Sequence, residues 1–135
     1  GLLRLGAIPM EAAAMPVDLT PVDLCVKEIA LLKNSEDPVY HILCDAPPTL
    51  FGVLFALDHT VRVVSEDAFV SMLKTKLTEE PSESLAVVMN EWLTYKANPP
   101  RITVSNTKTV AALKHCGFEI PGFSVEVVLK EFGKE

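Results

Sequence analysis

Over residues 21–33 the apolar positions Val22, Cys25, Val26, Ile29 and Ala30 fall at i, i+3, i+4, i+7 and i+8, the spacing of one helical face. Thr20-Pro21-Val22-Asp23 supplies the start of that helix. Thr20 suits the N-cap, Pro21 the first helical position and Asp23 the positive end of the dipole. The clearest repeat is Leu85, Val88, Met89, Trp92 and Leu93, and a further stripe, Phe69, Met72, Leu73 and Leu77, follows Ser65-Glu66-Asp67. Thr49 can cap a helix over residues 49–57 that is apolar on most sides, the pattern of a segment packed inside. Asn106 or Thr107 opens a helix to His115, with Gly117 where a left-handed terminal residue is wanted. A last helix is predicted over residues 124–132 on Val125, Val128, Leu129 and Phe132. Residues 2–5 read as a helical stub, followed by a loop that Pro9 and Pro16 interrupt.

Short runs rich in β-branched residues at 39–44, 61–64 and 102–104 read as strands. The first of these is read as buried, and the interval 39–64 is compatible with a short parallel crossover. The pattern therefore predicts about five helices and three short strands: α/β, helix-rich, with too little strand for a complete doubly wound sheet. Residues 1–135 are read as one subdomain, long enough to close a core.

Composition narrows the partners. The chain is 49% apolar and 22% charged, a bias that fits a piece packed against something else. A net charge of -6 with no basic cluster argues against nucleic acid and does not favour an anionic membrane. No apolar run approaches the ~20 residues that span a bilayer. Cys25, Cys44 and Cys116 are odd in number and scattered, which fits free thiols in a reducing compartment, two of them in apolar contexts. The start Gly1-Leu2-Leu3-Arg4 is not a signal-peptide pattern and reads as a segment cut from a longer cytoplasmic protein.

Cofactor chemistry has clear requirements. A dinucleotide needs a Gly-rich strand-to-helix turn, so that backbone can approach the pyrophosphate. Carbonyl reduction of the short-chain type needs a Tyr with a Lys four residues later to tune the phenol. The six glycines form no such turn, Tyr95 is followed directly by Lys96, and Tyr40 has Cys44 at the Lys position. Neighbouring helical residues diverge by about 100°, so Tyr95-Lys96 does not make the dyad. His41, His59 and His115 share no ligand spacing, and no metal is expected. Met10 and Met15 flank a loop suited to apolar ligands or to core filling, and Trp92 reads as core. Glu79-Glu80-Pro81-Ser82-Glu83 reads as a solvated loop.

Several segments, in order, resemble the C-terminal part of the thioester reductase domains that end nonribosomal peptide synthetases. They are Gly6-Ala7-Ile8-Pro9, Thr20-Pro21-Val22-Asp23, Val39-Tyr40-His41-Ile42-Leu43, and Val104-Ser105-Asn106-Thr107 with Cys116-Gly117-Phe118. Carboxylic acid and α-aminoadipate reductases carry relatives of the same domain, and a fatty acyl-CoA reductase or another extended short-chain dehydrogenase stays open as an alternative. The resemblance implies a helix-rich C-terminal, substrate-binding subdomain of an extended short-chain dehydrogenase-like fold. It implies no catalytic residue in this chain, with NADPH and the proton-transfer pair on a missing N-terminal Rossmann half, so this fragment is not expected to bind NADPH. It assigns Ile8, Pro9, Met10, Thr20 and Asp23 to the substrate side, although local sequence favours a helix-start role for Asp23. The partner implied is a carrier protein bearing an acyl or peptidyl thioester on a phosphopantetheine arm, released as aldehyde or alcohol. Two other readings stay open: a non-catalytic interaction module that keeps part of the fold, or part of a non-reductive relative such as an epimerase.

Overall fold

A computed structural model describes residues 1–35, 39–44, 46–98, 104–122 and Leu129. In chain order the described elements are α1 (Leu2–Leu5), β1 (Ala7–Pro9), α2 (Met10–Ala13), α3 (Val22–Leu32), α4 (Leu50–Leu57), β2 (Arg62–Val64), α5 (Glu66–Glu79), α6 (Glu83–Ala97) and α7 (Thr107–His115). The architecture is α/β and helix-rich.

Its organising joint is short. Gly6 ends α1 at φ 66°, and its N–H donates to the carbonyls of Leu2 and Leu3. A side chain at that backbone angle would be strained, and glycine carries none. The chain leaves this turn directly into β1. Arg62 N–H donates to the Gly6 carbonyl at 3.1 Å, and β1 pairs with β2 in parallel: Ala7 with Arg62, Ile8 with Val63, Pro9 with Val64. Pro9 has no N–H to extend the ladder, and it becomes the N-cap position of α2.

All three residues of β1 are buried. Around them Leu5, Leu54, Val61, Phe69, Leu73, Leu85 and Trp92 close one core. Phe69 meets Trp92 edge-on with ring centroids 5.7 Å apart, an arrangement favoured by the ring quadrupoles. The helices that bring these residues in start as the sequence dictates. Thr49 Oγ1 accepts from Gly52 N–H at 3.0 Å and Ser65 Oγ from Ala68 N–H at 3.4 Å. Arg4 clips α1 to the α5–α6 turn through Glu80 (3.2 Å) and Ser82 (3.1 Å). The Arg4 hydrogen bond, then the Lys76 charge, hold the Glu80 carboxyl below its ordinary range. These groups are well exposed, so the clip orients the turn more than it stabilises it.

A second, smaller layer packs α3 on α7. Thr109 Oγ1 donates to His41 O at 2.8 Å, Asn106 Nδ2 to Leu43 O at 3.2 Å, and Cys44 N–H to Asp18 Oδ1 at 3.0 Å. Gly117, at φ 72°, ends α7 with Gly117 N–H on Lys114 O and Phe118 N–H on Leu113 O. That paired pattern satisfies two of the carbonyls a helix end leaves open.

Several sequence expectations are corrected. Residues 7–13, read as loop, hold β1 and α2; three strand residues are too few to show a period. Residues 39–44, read as a buried strand, form no ladder among the described residues; the carbonyls of His41 and Leu43 accept instead from the side chains of Thr109 and Asn106. The parallel partner of β2 is therefore β1, and the crossover read over 39–64 is replaced by a longer one through α2, α3 and α4. The helix N-cap is Pro21 and not Thr20, whose hydroxyl donates instead to Asp18 Oδ1 at 2.6 Å. Asn106 occupies the N-cap of α7 without a capping bond, and its Nδ2 donates to Leu43 O. Leu93 is exposed and leaves the α6 stripe. The three cysteines form no disulfide with one another, but Cys44 alone is buried and Cys116 is exposed. The strand read at 102–104 falls largely, and the helix read at 124–132 almost wholly, outside the described residues.

The largest correction concerns α3. Its expected inner face is turned outward: Val22, Val26 and Ile29 are 78%, 60% and 57% exposed. The packed face is Leu24, Cys25, Glu28, Leu31 and Leu32, with Glu28 0% exposed. This set also has helical spacing, i, i+1, i+4, i+7 and i+8, but a carboxylate sits at its centre. A helix with apolar residues on two sides leaves periodicity unable to choose.

These packing assignments separate two substitutions. Phe69→Ala should cost about 3–5 kcal/mol, and Val26→Ala should stay within about 0.5 kcal/mol, both read by urea denaturation. Equal costs would contradict the orientation of α3.

Candidate functional site

Beneath β1 the helices do not close completely. An apolar groove of about 340 Å³ runs between Ile8 and Pro9 of β1, Ala12 and Met15 beyond it, and one face of α6. That face is built by Val87, Val88, Glu91, Trp92 and Tyr95, at i, i+1, i+4, i+5 and i+8, consecutive turns of a single helix side. Phe69 closes the floor. The volume lies in the range of small-molecule sites, about 300–1,000 Å³.

Polar groups are few here. Glu91 brings the one charge among the lining residues. Trp92 packs against Phe69 and stacks on Tyr95 at 5.6 Å, so it serves the core and the groove wall together. Its Nε1–H is buried without a partner. Tyr95 faces the groove, whereas the next residue, Lys96, turns to α5 and donates to Glu66 Oε2 at 2.7 Å. That bond, the largest cause, raises the Lys96 ammonium above its ordinary value. Both side chains lie against Trp92, but the Lys96 ammonium is held by Glu66, and no hydrogen bond joins it to the Tyr95 hydroxyl as a proton-transfer pair requires. The groove can sort ligands by shape and apolarity, with no nucleophile–base pair in its walls.

The five residues assigned from sequence separate in space. Ile8 and Pro9 line the groove. Met10 is 65% exposed and stands outside it, while Met15 lines it. Thr20 lies on a separate cavity of about 90 Å³ with Pro21, Leu24 and Cys44. Asp23 is exposed at the start of α3, where its carboxylate accepts Leu24 N–H at 2.9 Å. Sequence reasoning missed Ala12, Val87 and Tyr95. Val87 and Tyr95 sit just off the α6 stripe, and their signal is that they widen its apolar arc beyond what packing requires.

Other places offer less. A wider cleft of about 640 Å³ between the end of α3 and α7 mixes Ser35, Tyr40, Lys108 and His115 with alanines, and it holds none of the five. Among the described residues no three His, Cys, Asp or Glu side chains come together to hold a metal. His41 Nδ1 lies 3.3 Å from Ser105 O, and His59 is edge-on to Phe55 at 4.9 Å. Among the described residues, no helix is long and apolar enough to cross a membrane. Among the described residues the strand-to-helix junctions, Pro9-Met10 and Val64-Ser65-Glu66, contain no glycine, and these two do not fit a dinucleotide pyrophosphate.

No protein-family model and no curated protein matches the chain. A solved structure does: a thiolation-reductase di-domain from an archaeal non-ribosomal peptide synthetase, at 19% identity with a TM-score of 0.78. The match covers 98% of this chain and 29% of that one. The chain spans less than a third of that protein's length and shares the fold of that part. The resemblance read from Gly6-Ala7-Ile8-Pro9 and Thr20-Pro21-Val22-Asp23 thus holds at the level of fold.

A charge on the groove's exposed rim tests its hold on apolar ligands. Val87→Arg should leave stability within about 0.5 kcal/mol while weakening binding of the apolar dye anilinonaphthalene sulfonate at least tenfold, followed by its fluorescence. Unchanged dye affinity would place the apolar surface elsewhere.

Proposed function

We propose that this chain forms the acyl-binding wall of a thioester reductase acting on substrates presented by a carrier protein. The observation that carries the reading is the coincidence of two things. The fold matches part of a thiolation-reductase protein over 98% of this chain, and the groove lies against Ile8 and Pro9, in a segment that resembles the reductase loop.

The mechanism assigned to these residues is binding and exclusion. Ile8, Met15, Val88 and Trp92 enclose an acyl chain and take its apolar surface out of water, which stabilises by about 25 cal/mol per Å². Holding the chain fixes where the attached thioester carbonyl lies, and positioning of that kind lowers the barrier by removing rotational freedom before the reaction. The partners inferred are a Rossmann half outside these 135 residues and a carrier domain with its phosphopantetheine arm. NADPH held by that other half would supply hydride to the thioester carbonyl, and a proton donor of that half would supply the proton, so that the C–S bond breaks to give an aldehyde and the free thiol. This chain's own strand-to-helix junctions do not fit that cofactor, so none of its residues is given a step in the transfer.

Calorimetry of the chain with a medium-chain acyl pantetheine thioester and with NADPH separates the parts of this reading. Saturable binding of the thioester is expected, weakened at least tenfold by Val87→Arg, with no heat of binding from NADPH. Saturable NADPH binding would remove the division of labour. Thioester binding indifferent to Val87→Arg would remove the groove.

A further inference from the structure

We propose that α3 is a proton-operated latch: with Glu28 neutral the helix lies against α7 and the Asp18 loop, and ionisation of Glu28 expels it. The geometry is that of a group in the wrong place for its charge. Glu28 is fully buried, neither carboxyl oxygen has a hydrogen-bond partner, and both are out of contact with solvent. A neutral carboxyl tolerates such a site far better than a carboxylate, because an unpaired charge loses its hydration without recompense.

The surroundings supply no relief. Asp18, in the loop before α3, is the charged group that acts on Glu28, and its sign is the same. The Asp18 carboxylate takes the Cys44 N–H and the Thr20 hydroxyl, so these donors are directed to Asp18. From α7 the buried residues are Thr109 and Leu113, and the Thr109 hydroxyl is donated to His41 O. The charged α7 residues Lys108, Lys114 and His115 are exposed. Cys116 Sγ reaches Leu31 O at 3.9 Å. On α3 itself Lys27 lies over the Phe118 ring at 4.3 Å. Among the described residues no cation pairs with Glu28.

Burial first, then the Asp18 charge, push the Glu28 carboxyl above 4.5. A raised folded-state value means that docking is strongest below about pH 4.5 and weakens as pH rises through the Glu28 titration. A second observation, independent of the first, makes release productive. The helix carries another apolar face, Val22, Val26 and Ile29, which stands in water while α3 is docked. It lies roughly a third of a turn round the axis from Glu28. Because that face gains nothing from docking, expulsion forfeits only the contacts of the inner face, Leu24, Cys25, Leu31 and Leu32, while it returns the carboxylate to water. The latch is independent of what the groove binds.

Amide hydrogen exchange of the chain at pH 4.5 and pH 8, corrected for intrinsic exchange, tests the latch. Protection of the α3 amides should fall at least tenfold at the higher pH in the wild type and stay level in Glu28→Gln. Loss in both proteins, or in neither, overturns the proposal. If Glu28→Gln does not fold, Asp18→Asn decides. Removing that like charge should move the transition to lower pH, and an unmoved transition overturns the proposal equally.

Discussion

The parallel pairing of two three-residue strands is the constraint from which the rest follows. Ala7-Ile8-Pro9 can be buried on all sides only because its backbone is met by Arg62-Val63-Val64 and its entry is turned by Gly6. An unpaired N–H or carbonyl in that position would cost about 1–3 kcal/mol each. Once Ile8 is fixed, α5 and α6 have a floor to pack on, and Phe69, Leu73, Leu85 and Trp92 complete it. The groove is the space left where Pro9 ends the ladder and α2 departs. Core and candidate site therefore share one joint, and a change in the register of that joint would remove both.

How much of this was legible depended on length and on redundancy of signal. The helices α5, α6 and α4 were readable because a dozen residues of period, or a Ser or Thr cap, point the same way. Gly117 was readable because few residues other than glycine take its backbone angle. β1 was not, since three residues show no alternation and its partner lies more than fifty positions away in the chain. Residues 39–44 have strand composition, yet two of their carbonyls, of His41 and Leu43, accept from Thr109 of α7 and from Asn106 at its N-cap, an arrangement no local pattern announces. Of the groove, Ile8 and Pro9 came from resemblance, whereas the contribution of Val87 and Tyr95 came only from seeing α6 seated.

The α3 error is instructive for the same reason. Helical spacing fits both faces, and the fold takes the one that carries Glu28. Leu24, Cys25, Leu31 and Leu32 pack inward, and a protonated carboxyl costs far less to carry along with them than a carboxylate would. Where two apolar faces compete on one helix, the hydrophobic term alone does not decide, and protonation enters the choice. Consistency across levels is the usual mark of a settled element, and α3 is the place where this chain departs from it.

The central claim is that an acyl chain lies in the groove beneath β1. Intermolecular NOEs from a medium-chain acyl pantetheine thioester to the protein test it most directly. The account predicts contacts from the acyl methylenes to the Ile8 and Val88 methyl groups and to the Trp92 ring. Contacts confined to α3 and α7, or to the cleft beside Tyr40 and His115, would contradict it.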